Sequence, residues 1–152
     1  MAPARFIARL FSPWRKGSSA SPPEAAHLRL GRQGEQLAAR HLRRLGYKVL
    51  YRNFRPAEGG EIDLVCREKK TLVFVEVKTR SPEGMGRPAD AVGPEKEEAL
   101  LRGAQTWLRM LDDPGVPVRL DIVEVILGGR RPEITLTRDA LAFTNEPRAG
   151  NY

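Results

Sequence analysis

The sequence holds one cysteine, Cys66, and lacks any apolar stretch of transmembrane length. A single cysteine cannot form an internal disulfide or a multi-cysteine metal site. We therefore expect Cys66 to be a small buried apolar residue and the protein to work in a reducing cytoplasm. No internal repeat or second domain is visible, and 152 residues suffice for one domain with its own core.

Acidic residues are fewer than basic ones, 19 against 26, which gives a net charge of +7. Such a surplus favours a polyanionic partner, with nucleic acid first and an anionic membrane surface second. Residues 1–24 hold four basic residues against one acid and are broken by proline, glycine and serine. We expect a disordered tail or an incorrectly assigned start there; the alternative is a tail that contacts nucleic acid or membrane. The domain is expected at 25–145, followed by a loose end at 146–152.

Two stretches, 60–65 and 72–80, are rich in β-branched and aromatic residues and predict the strands of a hairpin, joined by a polar turn over 66–71. The second stretch is apolar on both faces until Glu76, which is typical of a central strand covered on both sides. Alternation along the first strand places Ile62 and Leu64 on one face and Asp63 on the other.

A carboxylate and an ammonium two residues apart on a buried strand, Glu76 and Lys78, are costly to desolvate without partners. A hydrolytic Mg²⁺ site would supply partners, because Mg²⁺ prefers carboxylate, carbonyl and water oxygens. Asp63, Glu76 and the Val77 carbonyl would be its ligands. Lys78 would orient or deprotonate a water and stabilise charge on a phosphate. This Asp…Glu-x-Lys arrangement resembles that of the PD-(D/E)xK nucleases. The alternative is a surface hairpin in which Glu76 and Lys78 form a solvated pair.

A helix is predicted over 27–45, with Gly46 as its C-cap. Its apolar face would hold Gly31, Gly34, Ala38, Leu42 and Leu45. Glu35 falls beside this face, so its carboxylate could reach the metal site as a third acid. Equally open is a first-turn glutamate that complements the helix dipole.

The rest of the chain predicts a strand at 47–54, a loop at 81–93, a second long helix at 94–111, strands at 116–127 and 133–137, and a last helical turn at 140–143. Lys96 extends the apolar stripe of the second helix toward its start, where it could meet a scissile phosphate; the alternative is a lysine whose head reaches solvent. Arg80 and Arg87, at the edges of the loop, are further candidate phosphate contacts.

Several motifs occur together in the chain, in this order: Gly31, Gly34 and Glu35; Asn53-Phe54-Arg55; Gly60-Glu61-Ile62-Asp63-Leu64; Phe74-Val75-Glu76-Val77-Lys78-Thr79-Arg80; Lys96; and Arg119-Leu120-Asp121. Together they resemble the YraN-like family of small bacterial proteins. That family looks like the Holliday-junction resolvases of the restriction-endonuclease-like fold. Two departures are mild: Leu120 replaces an aromatic residue, and Asp139 to Phe143 matches the family's closing Asn-Ala-Phe only loosely.

The resemblance implies an α/β fold with a central mixed β-sheet flanked by helices. It implies Asp63 and Glu76 as metal ligands, Lys78 as the catalytic lysine and Glu35 as the helix-borne acid. The expected activity is a Mg²⁺- or Mn²⁺-dependent phosphodiesterase on DNA, in particular branched DNA. The expected partner is nucleic acid and not a membrane, and by analogy with resolvases the protein would be a homodimer.

Two other functions fit the same residues. A non-catalytic nucleic-acid-binding module would show salt-sensitive DNA binding without metal-dependent cleavage. An interaction protein that uses the fold as a scaffold would retain a protein partner and no DNA. The intact set of Asp63, Glu76 and Lys78 favours the enzyme.

Overall fold

The structure is a computed structural model that describes residues 26–82, 93–113 and 115–143. Within them the chain forms two helices and five strands. In chain order these are α1 (Ala26–Arg44), β1 (Lys48–Phe54), β2 (Ile62–Glu68), β3 (Thr71–Arg80), α2 (Pro94–Met110), β4 (Val118–Ile126) and β5 (Glu133–Leu141). The basic tail, the end at 146–152 and most of the loop, including Arg87, lie outside the described residues.

The strands form one mixed sheet in the order β1-β2-β3-β4-β5. Only the β3–β4 pair is parallel among these neighbours; the other three pairs are antiparallel. Parallel neighbours need a long crossover, and α2 lies within it. The sheet separates α1 from α2, so the predicted α/β architecture, with a mixed sheet flanked by helices as in the restriction-endonuclease-like fold, is confirmed.

Two cores, one on each face of the sheet, follow from alternation along β3. Val73 and Val75 pack toward α1 with Ala38 and Leu42, and Phe74 packs toward α2. The α2 core adds Leu100, Ala104 and Trp107, as the helical stripe predicted. Apolar contact on both faces explains why β3 is apolar until Glu76.

One face assignment was wrong. Leu64 packs on the α1 side, whereas Ile62 packs on the α2 side with Phe54. The β2–β3 ladder ends at the Leu64–Val75 pair, so residue 62 pairs only with β1 at Phe54. Strict alternation fails where β2 leaves β3.

Other boundaries also moved. β5 runs to Leu141, so the predicted helical turn at 140–143 was wrong; the Asp139 backbone N–H donates to Asp121 Oδ1 and keeps this segment on β4. The hairpin turn is shorter than 66–71, since Cys66 is buried and only Lys69 and Lys70 separate β2 from β3.

α1 ends at Arg44, so Leu45 is exposed and not on the apolar face. The predicted cap is present. Gly46 has φ +92°, its N–H donates to Arg43 O, and the Tyr47 N–H donates to Leu42 O.

Candidate functional site

Two carboxylates, Asp63 and Glu76, are buried next to each other where β2 and β3 separate. Each side chain belongs to a residue only 8% exposed. The Val77 N–H has no backbone partner from β2 beyond the Leu64–Val75 pair, and instead donates to Asp63 Oδ2 at 2.8 Å. The Asp63 side chain therefore takes the place of a backbone acceptor between β2 and β3. The N–H and C=O of one strand residue point to the same side, so the Val77 carbonyl also faces this gap.

The pair is electrostatically unbalanced. Burial, and after it the nearby Glu76 charge, raise the pKa of Asp63 to about 8 against the lowering effect of the Val77 N–H. Burial also raises the pKa of Glu76, and the Lys96 charge offsets part of this rise. Two neighbouring carboxylates favour sharing a proton, or binding a cation in its place.

A cavity of about 400 Å³ opens beside this pair, between the first part of α1 and the first part of α2. Four carboxylates line it: Glu35, Glu61, Asp63 and Glu76. Lys96 lines it from α2, with Nζ 4.0 Å from Glu76 Oε1. The alternative of a surface hairpin with a solvated Glu76 is therefore wrong, because Glu76 lies on the central strand at the inner wall of a cavity.

Glu35 reaches the cavity because α1 lies close to β3. A Cβ on Gly34 would overlap the Thr79 side chain, so glycine allows this close approach. Glu35 lies in the third turn of α1, which begins at Ala26, so the first-turn alternative is wrong. Its Oε2 accepts a hydrogen bond from Asn53 Nδ2 at 3.0 Å.

Glu61 lines the cavity but was absent from the predicted site. Its Oε1 accepts from Arg55 Nη2 at 2.6 Å, and its backbone N–H donates to Ala99 O of α2 at 3.1 Å. Gly60 precedes it with φ +105° and no room for a Cβ against Gly103. The signal was available, because alternation puts Glu61 on the same side as Asp63.

The remaining predicted residues lie at different distances from the cavity. Lys78 is half-buried and lies two residues after Glu76 on β3. Its charge helps to lower the pKa of Glu76, but Lys78 is not among the described residues that line the cavity. Arg80 contacts Glu124, with 3.3 Å between Nη2 and Oε1. Lys96 lines the cavity, and Arg87 lies outside the described residues. Their catalytic and binding roles stay predictions.

The donor set fits a hard cation with mostly water ligands. In 26–82, 93–113 and 115–143 no three or more histidine, cysteine, aspartate or glutamate side chains are arranged to hold a metal ion. The site offers two carboxylates and a nearby backbone carbonyl, and Mg²⁺ commonly takes one or two carboxylates and fills the rest with water. Glu35 is held by Asn53, which places it in a supporting position.

Cys66 is buried, and burial raises the pKa of its thiol to about 12, so it offers no nucleophile. Among the described residues, neither helix is long and apolar enough to cross a membrane.

Comparison with known proteins gives the family. The model of the family described as "Uncharacterised protein family UPF0102" matches residues 34–125. The UPF0102 protein of Geobacter sulfurreducens is 46% identical over 106 residues, 69% of this chain and 82% of the relative. That of Rhodococcus opacus is 44% identical over 117 residues, covering 76% of this chain and 98% of the relative. The matched segment holds Glu35, Asp63, Glu76 and Lys78, and more than half of the sequence. The chain therefore belongs to the UPF0102 family, the YraN-like family that its motifs resemble.

Proposed function

We propose that this protein is a Mg²⁺- or Mn²⁺-dependent nuclease that hydrolyses phosphodiester bonds in DNA. The observation that carries the proposal is the buried pair of Asp63 and Glu76 on adjacent strands, at the wall of a cavity. Burying two like charges together is expensive unless a cation or a proton joins them. An arrangement that costs stability and faces a cavity is typical of a functional site.

Each residue has a role in this proposal. Asp63, Glu76 and the Val77 carbonyl would hold the metal ion, which when bound polarises the phosphate and lowers the pKa of a water. Lys78 orients or deprotonates the attacking water and offsets charge on the phosphate. Lys96 and Arg80 bind phosphate oxygens. Glu35, held by Asn53, orients water in the outer part of the site.

The test is cleavage of labelled duplex, single-stranded, flap and four-way-junction DNA with Mg²⁺ or Mn²⁺. Wild type is compared with Lys78→Ala and with Arg131→Ala, a control in the exposed β4–β5 turn. We expect Lys78→Ala to lose on the order of 10²–10⁴-fold in rate, the usual contribution of acid–base groups. Arg131→Ala should cleave as wild type does. Cleavage that survives in Lys78→Ala would overturn the assignment.

Metal binding has its own readout. Mg²⁺ should raise the thermal unfolding midpoint of wild type, because a ligand that binds only the folded state stabilises it. The Asp63→Asn protein should show little rise. An equal rise in both proteins would exclude Asp63 as a ligand.

A second candidate is a nucleic-acid-binding module without catalysis. It is favoured by two observations: Glu35 bonds to Asn53, and in the described part of the chain no three histidine, cysteine, aspartate or glutamate side chains group around a metal position. DNA binding that falls with salt, without cleavage of any of the four substrates, would select this candidate.

The proposal extends to a homodimer, since a branched substrate has two strands to cut. Size-exclusion chromatography with light scattering measures the mass. Only monomer, with and without a four-way junction, would contradict the dimer.

A further inference from the structure

The end of the sheet opposite the cavity carries a group of exposed basic side chains. There α1 ends, β1 begins, β2 ends and β3 begins. We call this group the basic end: Arg43, Arg44, Lys48, Arg67, Lys69 and Lys70.

Register and contacts place these residues together. Lys48 pairs with Arg67 across the β1–β2 ladder, and Lys69 and Lys70 form the turn that follows. Arg43 lies near enough to Cys66, the neighbour of Arg67, to lower the pKa of its thiol against the larger effect of burial. By alternation Lys48 and Arg67 lie on the α2 face of the sheet, whereas Arg43 and Arg44 end α1 on the other face. The basic end therefore surrounds this end of the sheet, and the turn of Lys69 and Lys70 lies between its two sides.

None of the six forms an ion pair with another described residue. Of the acids at this end, Glu68 is already held by Arg119 at 2.8 Å and by Arg138 at 3.0 Å, and the exposed Asp112 and Asp113 lie in the connection from α2 to β4 without an ion pair to the basic end. The cations near the cavity differ, because Arg55 pairs with Glu61 and Lys96 with Glu76. Grouped like charges without partners repel each other, which favours an external polyanion.

The distance to the cavity suits a nucleic acid. Glu76 lies five positions along β3 from Thr71, which is beside the turn. At about 3.3 Å per residue this is roughly 16 Å. One DNA strand covers the same distance in about five phosphates, since successive phosphates are about 3.4 Å apart along the axis. One DNA molecule can therefore contact both the basic end and the rim of the cavity.

A membrane surface fits less well. Surface-binding helices need an apolar stripe beside their cations. Leu45 and Met110 are exposed near this end, but they follow α1 and end α2 on opposite faces of the sheet and form no stripe.

We infer that the basic end is a second nucleic-acid contact surface, which binds the phosphates of DNA that flank the stretch at the cavity. It rests on the proposed function for the identity of the partner. The basic end would supply the affinity for DNA, because the carboxylate-lined cavity itself repels phosphate unless a cation is bound.

The experiment compares two double variants of equal charge change in the Asp63→Asn background, which prevents cleavage. Lys69→Gln/Lys70→Gln changes the basic end. Arg130→Gln/Arg131→Gln is the matched control, two adjacent exposed cations in the β4–β5 turn at the other end of the sheet. Fluorescence anisotropy measures binding of a labelled 20-bp duplex without divalent metal, across a series of salt concentrations.

We expect the Lys69→Gln/Lys70→Gln protein to bind about tenfold more weakly or worse. Its log–log salt dependence should be shallower by about two, because each lysine that no longer neutralises a phosphate lowers the slope by about one. The control should stay within about twofold of its parent. Equal losses in both double variants, or no loss in either, would overturn the inference. So would binding to phosphatidylserine vesicles that depends on Lys69 and Lys70 without such dependence for DNA.

Failure of the proposed function is distinguishable. Lys69→Gln/Lys70→Gln made on the wild-type chain should keep the Mg²⁺ rise in its unfolding midpoint, which also shows that it is folded. If wild type shows no Mg²⁺ rise and no cleavage, but DNA binding still depends on Lys69 and Lys70, the nuclease proposal fails and the basic end stands.

Discussion

Two buried aspartates lie on the same sheet and differ in what surrounds them. Asp63, at the start of β2, is 8% exposed, has Glu76 as its neighbour and accepts a backbone N–H from Val77. Asp121, on β4, is fully buried. Its Oδ1 accepts from Arg119 Nε and from the Asp139 N–H, and its Oδ2 accepts from the Tyr47 hydroxyl and Arg119 Nη2.

The difference separates two uses of a buried charge. Around Asp121 every carboxylate lone pair has a donor, and the Arg119 charge balances it; Arg119 also donates to Glu68 and Tyr47. Burial and the Asp121 charge raise the pKa of Tyr47 to about 12, so Tyr47 stays a neutral donor. Such a cluster joins β1, β2, β4 and β5. Around Asp63 the neighbouring Glu76 is another carboxylate, and the excess charge faces a cavity. Balanced charge stabilises the fold, whereas unbalanced charge supports the proposed site.

Replacing Asp121 should have the largest effect. In Asp121→Ala, Arg119 and Tyr47 lose their shared acceptor and remain partly buried, so we expect a loss of about 3–5 kcal/mol in unfolding free energy. Urea denaturation followed by circular dichroism measures it. Asp139→Asn is the control, since asparagine tolerates the φ of +50° at this position and keeps the backbone N–H that reaches Asp121. A loss below about 1 kcal/mol in Asp121→Ala would show that the cluster is not what holds β5 on β4.

Local patterns predicted much of this structure. Both helices, the five strands and the approach of Asp63 to Glu76 follow from periodicity and a short hairpin, which act over few residues. The Asp121 cluster joins residues 47, 68, 119 and 121, whose contacts depend on the finished sheet. Arg119 and Asp121 stood out in the sequence as a motif, but nothing near them named Tyr47 or Glu68 as partners.

Errors concentrated where regular pairing stops. Ile62 lies on the other face because β2 pairs with β3 only from Leu64 onward, and β5 is longer because Asp121 anchors the backbone of Asp139. Asp139 has φ +50° and lies where the β4–β5 register shifts, so β5 continues through an irregularity that the sequence does not mark. Alternation already put Glu61 on the side of Asp63, but the hydrogen bond to α2 that holds its backbone there depends on the finished fold.

The Asp63→Asn substitution should raise the free energy of unfolding, and by less than Asp121→Ala lowers it. The folded-state pKa of Asp63 is about 8, against an ordinary value of 3.8. Between about pH 4 and pH 8 the folded chain thus holds a proton that the unfolded chain has lost, so wild-type stability falls as pH rises through this window. The amide of the Asp63→Asn protein cannot ionise, so this position contributes no fall in the variant.

We expect the Asp63→Asn protein to match wild type near pH 4. At pH 8 it should be more stable by on the order of 1–3 kcal/mol, with each pKa unit worth about 1.4 kcal/mol at most. Urea denaturation at pH 4, 6 and 8 without divalent metal measures the difference. Saturating Mg²⁺ at pH 8 should reduce it, because only wild type gains from the ion. A variant less stable than wild type at pH 8 would place Asp63 with Asp121 as a structural carboxylate.

The smallest effect is expected at Asn53, the one amide that donates to a carboxylate of the cavity among the described side-chain bonds. Asn53 has φ +53°, a backbone region that asparagine and glycine adopt more readily than alanine. Asn53→Ala should therefore lose about 1–2 kcal/mol, from backbone strain and the missing hydrogen bond, and Asn53→Gly less than about 1 kcal/mol. Both variants release Glu35 equally. If Asn53 positions Glu35 for the metal site, both should need about tenfold more Mg²⁺ to reach half of the thermal shift, whatever their difference in stability. Two outcomes would contradict this role: a half-saturating Mg²⁺ concentration that changes in proportion to the loss in stability, or one that stays at the wild-type value in Asn53→Gly. Either would show that Asn53 shapes only the β1–β2 connection, and that the balance of charge in the cavity depends on Asp63 and Glu76.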